Sequence, residues 1–154
     1  MLLTGQKAPD VQFIDARGQK VGLHQLLAGK TTVLYFYPKD FTAGCTVEAC
    51  AFRDQYEDFV KAGAQVIGVS MDSPESHEEF SAKHRLPFTL VSDPDRKSAV
   101  ALGVTTVLGV LAGRVTFVIN KNGVVEHRFE SRIRMNKHVE EALEVVKSLV
   151  ARAA

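Results

Sequence analysis

The chain has 154 residues, 45% apolar and 24% charged, a globular composition sized for one domain over 1–154. It excludes a disordered tail, a collagen and a coiled coil, and a chain this long buries roughly 68–70% of its extended surface without needing disulfide staples. With 19 basic against 18 acidic side chains the net charge is +1, so neither nucleic acid nor an anionic membrane is expected as a partner.

Phe13-Ile14 and Lys20-Val21 flank Asp15-Ala16-Arg17-Gly18, which predicts an N-terminal β-hairpin. A helical turn follows at Leu23 to Leu27. Thr31 to Tyr37 is a β-branched and aromatic run without charge, which predicts a central strand buried on both faces. A long helix is predicted from Ala43 to Lys61. Cys45, Ala49, Phe52, Tyr56, Phe59 and Val60 share its inward face, Asp54, Glu57, Asp58 and Lys61 its outer face, and Gly63 stops it. Gln65 to Met71 reads as a second buried strand. Ser73-Pro74 pairs an N-cap with a proline at the first helical position, opening a helix to about His84. Phe88 to Val91 is a short strand, and Asp93-Pro94 repeats the cap and proline before a short helix to Leu102. Val115 to Ile119 and Val124 to Phe129 flank Lys121-Asn122-Gly123, a hairpin signal. Asn136 is expected to cap a last helix that buries Val139, Leu143, Val146, Leu149 and Val150.

This order predicts an α/β domain with a mixed central sheet between helices: a parallel, right-handed βαβ portion and an antiparallel edge hairpin. Ligands of such sheets gather beyond the carboxyl ends of the strands, where Pro38 to Cys50 lies. No apolar run reaches the roughly 18–20 residues of a membrane span. The longest, Val104 to Val118, is broken by Gly109, Gly113 and Arg114. Met1 to Val11 lacks the basic start and apolar stretch of a secretory signal, so a cytoplasmic location is expected.

The two cysteines, Cys45 and Cys50, sit in one short segment. A structural framework would close longer loops, and a zinc site would need two more soft ligands. Cys45 enters the first turn of a helix, where free N–H groups and the positive dipole end stabilise a thiolate. Thr42 can offer a hydroxyl into the same concavity, and Gly44 admits close backbone approach. Five helical steps separate the Cα atoms of Cys45 and Cys50 by about 8–9 Å. A disulfide spans at most about 7 Å, so the pair closes only if the first helical turns unwind. The residues alone suit a nucleophilic sulfur with donors aimed at a bound oxygen and a switch that works by helix unwinding, and they leave open a disulfide reductase, a redox-responsive binding protein and two structural helix cysteines. The four residues between the cysteines, rather than two, count against the reductase.

Tyr35-Phe36-Tyr37-Pro38-Lys39-Asp40-Phe41-Thr42-Ala43-Gly44-Cys45-Thr46-Val47-Glu48-Ala49-Cys50 resembles the active-site segment of the peroxiredoxins. The second cysteine five positions on resembles the Q type, also called bacterioferritin comigratory protein or thioredoxin-dependent thiol peroxidase. Gly5 to Asp10, Val66 to Ser70, Ser92-Asp93-Pro94 and Arg114 to Ile119 extend the resemblance over nearly the whole chain. It implies a thioredoxin-like fold, no cofactor, and reduction of hydrogen peroxide and organic hydroperoxides. It further implies that Cys45 is the peroxidatic cysteine, that Thr42 and Arg114 orient thiolate and peroxide, and that Pro38 shields the pocket. Cys50 would be the resolving cysteine, forming an intramolecular disulfide that thioredoxin reduces in a monomeric protein. Ala43 departs from the proline often found there. Val104 to Gly113 is shorter and more apolar than the family's loop, and reads as a rim for bulky hydroperoxides, a dimer patch, or a segment folded onto the core.

The remaining candidates point to no chemistry. His24, His77, His84, His127 and His138 are scattered without ligand spacing and read mostly as surface histidines, so no metal site is expected. Glu48 is set aside, because a carboxylate beside Cys45 opposes a thiolate. Arg132 and Arg134 read as surface arginines.

Overall fold

In the computed structural model, which describes residues 2–104, 106–107 and 111–153, the chain opens with the expected hairpin, β1 (Gln12–Ile14) and β2 (Lys20–Gly22). Its turn is tied by the Asp15 carboxylate, which accepts from the backbone N–H groups of Arg17 and Gln19. Then come α1 (Leu23–Leu27), β3 (Thr31–Phe36), α2 (Ala43–Lys61), β4 (Ala64–Ser70), α3 (Pro74–His84), β5 (Thr89–Ser92) and α4 (Lys97–Ala101). Two short strands, β6 (Thr106–Val107) and β7 (Leu111–Ala112), pair antiparallel. The last elements are β8 (Val115–Ile119), β9 (Val125–Glu130) and α5 (Met135–Ala153). The readings of Val104 to Gly113 as rim, dimer patch or folded segment rest on side chains from 105 to 112, which lie outside the described residues.

Seven strands form one sheet in the order β2-β1-β5-β4-β3-β8-β9. β3 pairs parallel with β4 and antiparallel with β8, so the uncharged run becomes the middle of a mixed sheet. Alternation along β3 feeds two cores. Leu34 and Phe36 join Phe13, Leu23, Ile67 and Phe117 on one face. Val33, Tyr35 and Tyr37 join Phe52, Phe59, Phe80, Val139 and Val146 under α2, α3 and α5 on the other. Tyr35 stacks on Phe52 with ring centroids 4.5 Å apart. Gly68, its partner in β4, makes room for it: a Cβ there would lie 2.9 Å from Tyr35 Cζ and 2.7 Å from Leu90 Cδ2.

Four expectations are corrected. Val60 is 51% exposed, because the inward stripe of α2 ends at Phe59. α4 starts at Lys97, not at Pro94. Arg96 takes a left-handed conformation (φ 60°) that breaks the helix there. The Asp93 carboxylate reaches over this turn to accept from the N–H groups of Ser98 and Ala99. Asn136 does not cap α5, which begins one residue earlier; Ser131 Oγ accepts from Arg134 N in the turn before it. At the far end Val150 is 48% exposed, beyond the reach of the sheet. By contrast Ser73 caps α3 as expected, its hydroxyl accepting from Ser76 N at 3.2 Å. No helix among the described residues is long and apolar enough to cross a membrane.

Candidate active site

β3 delivers the chain to Tyr37, whose N–H still bonds to Val69 O of β4, and a loop from Pro38 to Thr42 leads into α2. The loop is held by one buried carboxylate. Asp40 accepts from the Tyr37 hydroxyl at 2.6 Å, from Ser76 Oγ at 2.9 Å and from His77 Nδ1 at 2.7 Å. His77 Nε2 lies 3.0 Å from Val91 O, so both ring nitrogens are engaged, and the ring and the Asp40 carboxylate are buried together. The Asp40 N–H donates to Asp72 Oδ2, which also accepts from Ser70 Oγ. The loop is thus pinned to α3 and β4. Pro38 stands half-buried at its start.

Cys45 is the third residue of α2 and 1% exposed. Arg114 enters just before β8, 69 residues on, and Nη2 donates to Cys45 Sγ at 3.4 Å. Its Nη1 donates to Glu48 Oε1 at 2.7 Å, one helical turn past the cysteine. Gly44 has its expected use: a Cβ there would lie 3.2 Å from Arg114 Nη2 and 2.5 Å from Met135 Cε. Beside this turn a cleft of about 460 Å³ is lined by Gly44, Val47, Ile133, Met135 and Lys137, among others. Thr42 is the N-cap residue, but its hydroxyl donates to Lys39 O at 2.9 Å and makes no cap bond. The fold thus brings Cys45, Arg114 and Gly44 together, while the Thr42 hydroxyl is turned to its own loop.

Cys50 lies further along the same unbroken helix, half-buried, with Sγ 3.9 Å from His84 Nδ1. Both thiols are free. The intact helix agrees with the separation expected from five helical steps.

Glu48 and His138, which the sequence reading sets aside, lie beside Arg114 and Cys45 in the candidate site. The signal for Glu48 was present: three positions after Cys45 it falls on the same face as Ala49 and Phe52, a charge on an apolar stripe. His138 and His77, read as surface residues, are both buried. His138 Nε2 donates to Ser131 O, and Nδ1 accepts from Thr116 Oγ1 at 2.7 Å. Nδ1 therefore carries no proton for Glu48 Oε2, which lies 3.6 Å away. Among the described residues Glu48 Oε2 and the Tyr35 hydroxyl make no hydrogen bond. Burial pushes the Glu48 carboxyl up to about 7, against the pull of Arg114. Burial also pushes His138 down to about 4, with the Ser131 carbonyl opposing.

These shifts have opposite consequences. Glu48 contributes stability that is full below its ordinary 4.5 and lost as pH rises through about 7. His138 contributes stability that is full above its ordinary 6.5 and lost as pH falls through about 4. Each amounts to about 3 kcal/mol at 1.36 kcal/mol per pH unit, so the two slopes oppose each other in mildly acidic solution. In Glu48→Gln the His138 slope stands alone. Urea unfolding of that variant, referred to wild type, should gain stability as pH rises between 4 and 7. A flat difference would show that Glu48 does not titrate in this range.

The model of the AhpC/TSA family matches residues 4–128. Peroxiredoxin Q of Sedum lineare, named chloroplastic, is 47% identical over 146 residues, covering 94% of this chain and 78% of that protein. Its namesake from Arabidopsis thaliana is 48% identical over 145 residues, covering 94% and 67%. Among solved structures, peroxidoxin BcpB of Mycobacterium tuberculosis superposes with a TM-score of 0.89 at 33% identity, covering 97% of this chain and 99% of that one. The bacterioferritin comigratory protein of Xanthomonas campestris, described in terms of alkyl peroxide reduction, gives 0.80 at 35%, covering 91% and 92%.

Proposed function

We propose, for a chain that belongs to the AhpC/TSA family and to its peroxiredoxin Q branch, that it is a thioredoxin-dependent peroxidase acting through Cys45 and Cys50. The observation that carries this reading is the buried sulfur of Cys45 in the first turn of α2 under the Arg114 guanidinium. The guanidinium places a permanent cation and an N–H donor directly at the sulfur that reacts. The thiolate attacks one peroxide oxygen, the S–O bond forms as the O–O bond breaks, and the leaving oxygen departs as water or an alcohol. Arg114 and the free N–H groups of the helix start can meet charge developing on that oxygen. Thr42 stands at the N-cap to orient the incoming peroxide, once its hydroxyl turns from the Lys39 carbonyl. Gly44 keeps the approach to Arg114 open, and Pro38 shields the loop side.

Cys45 is then a sulfenic acid, open to further oxidation unless a thiol captures it. Cys50 supplies that thiol after the first turns of α2 unwind, and the resulting disulfide is passed to thioredoxin. We read hydrogen peroxide and organic hydroperoxides as substrates. We read the protein as a single-domain monomer over 1–154 that works without a cofactor. The free thiol pair fits a reducing compartment such as the cytoplasm.

Intact mass after one equivalent of hydrogen peroxide tests the reading. Reduced wild type should lose two hydrogens, and Cys50→Ser should gain one oxygen, trappable as the sulfenic acid at Cys45. An unchanged mass in both proteins would overturn the peroxidase reading.

A further inference from the structure

We infer that His84 is the base that activates Cys50 for closing the disulfide, an inference that rests on the peroxidase reading above. The two groups come from different helices. Cys50 is on α2, eight residues past its N-cap, and His84 is the last residue of α3. His84 Nδ1 faces Cys50 Sγ at 3.9 Å, and both residues are half-buried. The residue is held through both its ring and its backbone. Its ring packs edge-on against Phe80 with centroids 5.1 Å apart. Its backbone carbonyl accepts from Arg53 Nη1 of α2 at 2.8 Å. Arg53 lies one turn past Cys50 and is balanced by Asp54 at 3.1 Å. The flanking charges on the α3 side are Lys83, whose ammonium sits over the Phe41 ring at 5.8 Å, and Arg85.

The placement suits a step in which Cys45 moves and Cys50 does not. Closing the disulfide requires the start of α2 to unwind, yet the contact of Cys50 with α3 lies beyond that start. Arg53 ties the remaining helix to the end of α3. His84 therefore stays beside Cys50 while Cys45 swings toward it. In the step, Nδ1 takes the Cys50 proton and the thiolate attacks the sulfenic sulfur of Cys45. The S–S bond forms as the S–O bond breaks, and the hydroxide leaves as water with the proton that His84 returns. Cys45 is reduced and Cys50 oxidised within one chain, and no further oxidant enters.

The gain has a ceiling. An ordinary thiol is only about 3% ionised near pH 7, so complete activation is worth up to roughly 30-fold. The test follows reduced wild type and His84→Gln after one equivalent of hydrogen peroxide, by rapid quench and mass. Sulfenic acid at Cys45 should appear at similar rates in both. Its conversion to the disulfide should be about 10- to 30-fold slower in His84→Gln near pH 7. The gap should close near pH 9.5, where a thiol ionises unaided. Equal closure rates near pH 7 would overturn the assignment. So would a deficit that persists undiminished at high pH, which marks a structural role. A wild type that forms neither sulfenic acid nor disulfide overturns the peroxidase reading itself, and is told apart because it fails before closure.

Discussion

Arg114→Leu is expected to lose about 3–5 kcal/mol of stability and to slow oxidation of Cys45 by peroxide about 10²- to 10³-fold. Both losses follow from the two bonds of one guanidinium, to Cys45 Sγ and to Glu48 Oε1. Without it Glu48 is a fully buried carboxylate whose near neighbour is a neutral imidazole, and a buried unpaired charge is among the costliest defects a core can hold. Glu48 can escape by taking up a proton. Its carboxyl already stands at about 7 with Arg114 present, and removing the cation raises it further. The deficit should therefore shrink in acid and grow with pH. Adding Glu48→Leu to Arg114→Leu removes both charges, so most of the stability should return while oxidation of Cys45 stays slow. Urea unfolding across pH and single-turnover oxidation measure the two effects separately. A double variant no more stable than Arg114→Leu would mean that Glu48 is not the source of the loss.

Asp40→Ala should cost about 3–5 kcal/mol, since it strips the acceptor from a buried histidine and a buried tyrosine at once. The Tyr37 phenol cannot ease the loss by ionising, because burial holds it well above its ordinary range. Asp40→Asn keeps the shape and one acceptor oxygen, and should lose less. The damage should be local as well as global. The N–H of residue 40 still donates to Asp72, but the side-chain ties to Tyr37, Ser76 and His77 are lost, and the loop they pin carries Pro38 and Thr42 toward Cys45. Amide exchange over residues 39–46 should quicken more than that of β3 or β4. Exchange that rises uniformly with the global loss would remove Asp40 as the loop's anchor.

These two sites mark where reading the sequence stops. The bounds of α2, the central place of β3 and the cap of α3 were legible, because period, charge and turn residues are local properties. The proximity of Cys45 to a helix start was legible for the same reason, as was the inability of Cys45 and Cys50 to pair across an intact helix. The start of α4 was misread because a carboxylate can cap from several residues upstream across a turn, which spacing alone does not reveal.

What only the tertiary structure decided is the company each polar residue keeps. Arg114 meets Cys45 across 69 residues, His77 meets Asp40 across 37, and His84 meets Cys50 across 34. A histidine or glutamate reads as surface in a sequence because its ionised form is costly to bury unpaired. Its burial becomes affordable only when the sheet brings a distant partner to it, and that partner is set by the order of strands and helices. The sequence determined on which helix the two thiols sit; the packing of α2 against β4 and α5, and the approach of Arg114 and His84 from elsewhere in the chain, decided which charged and hydrogen-bonding groups meet them.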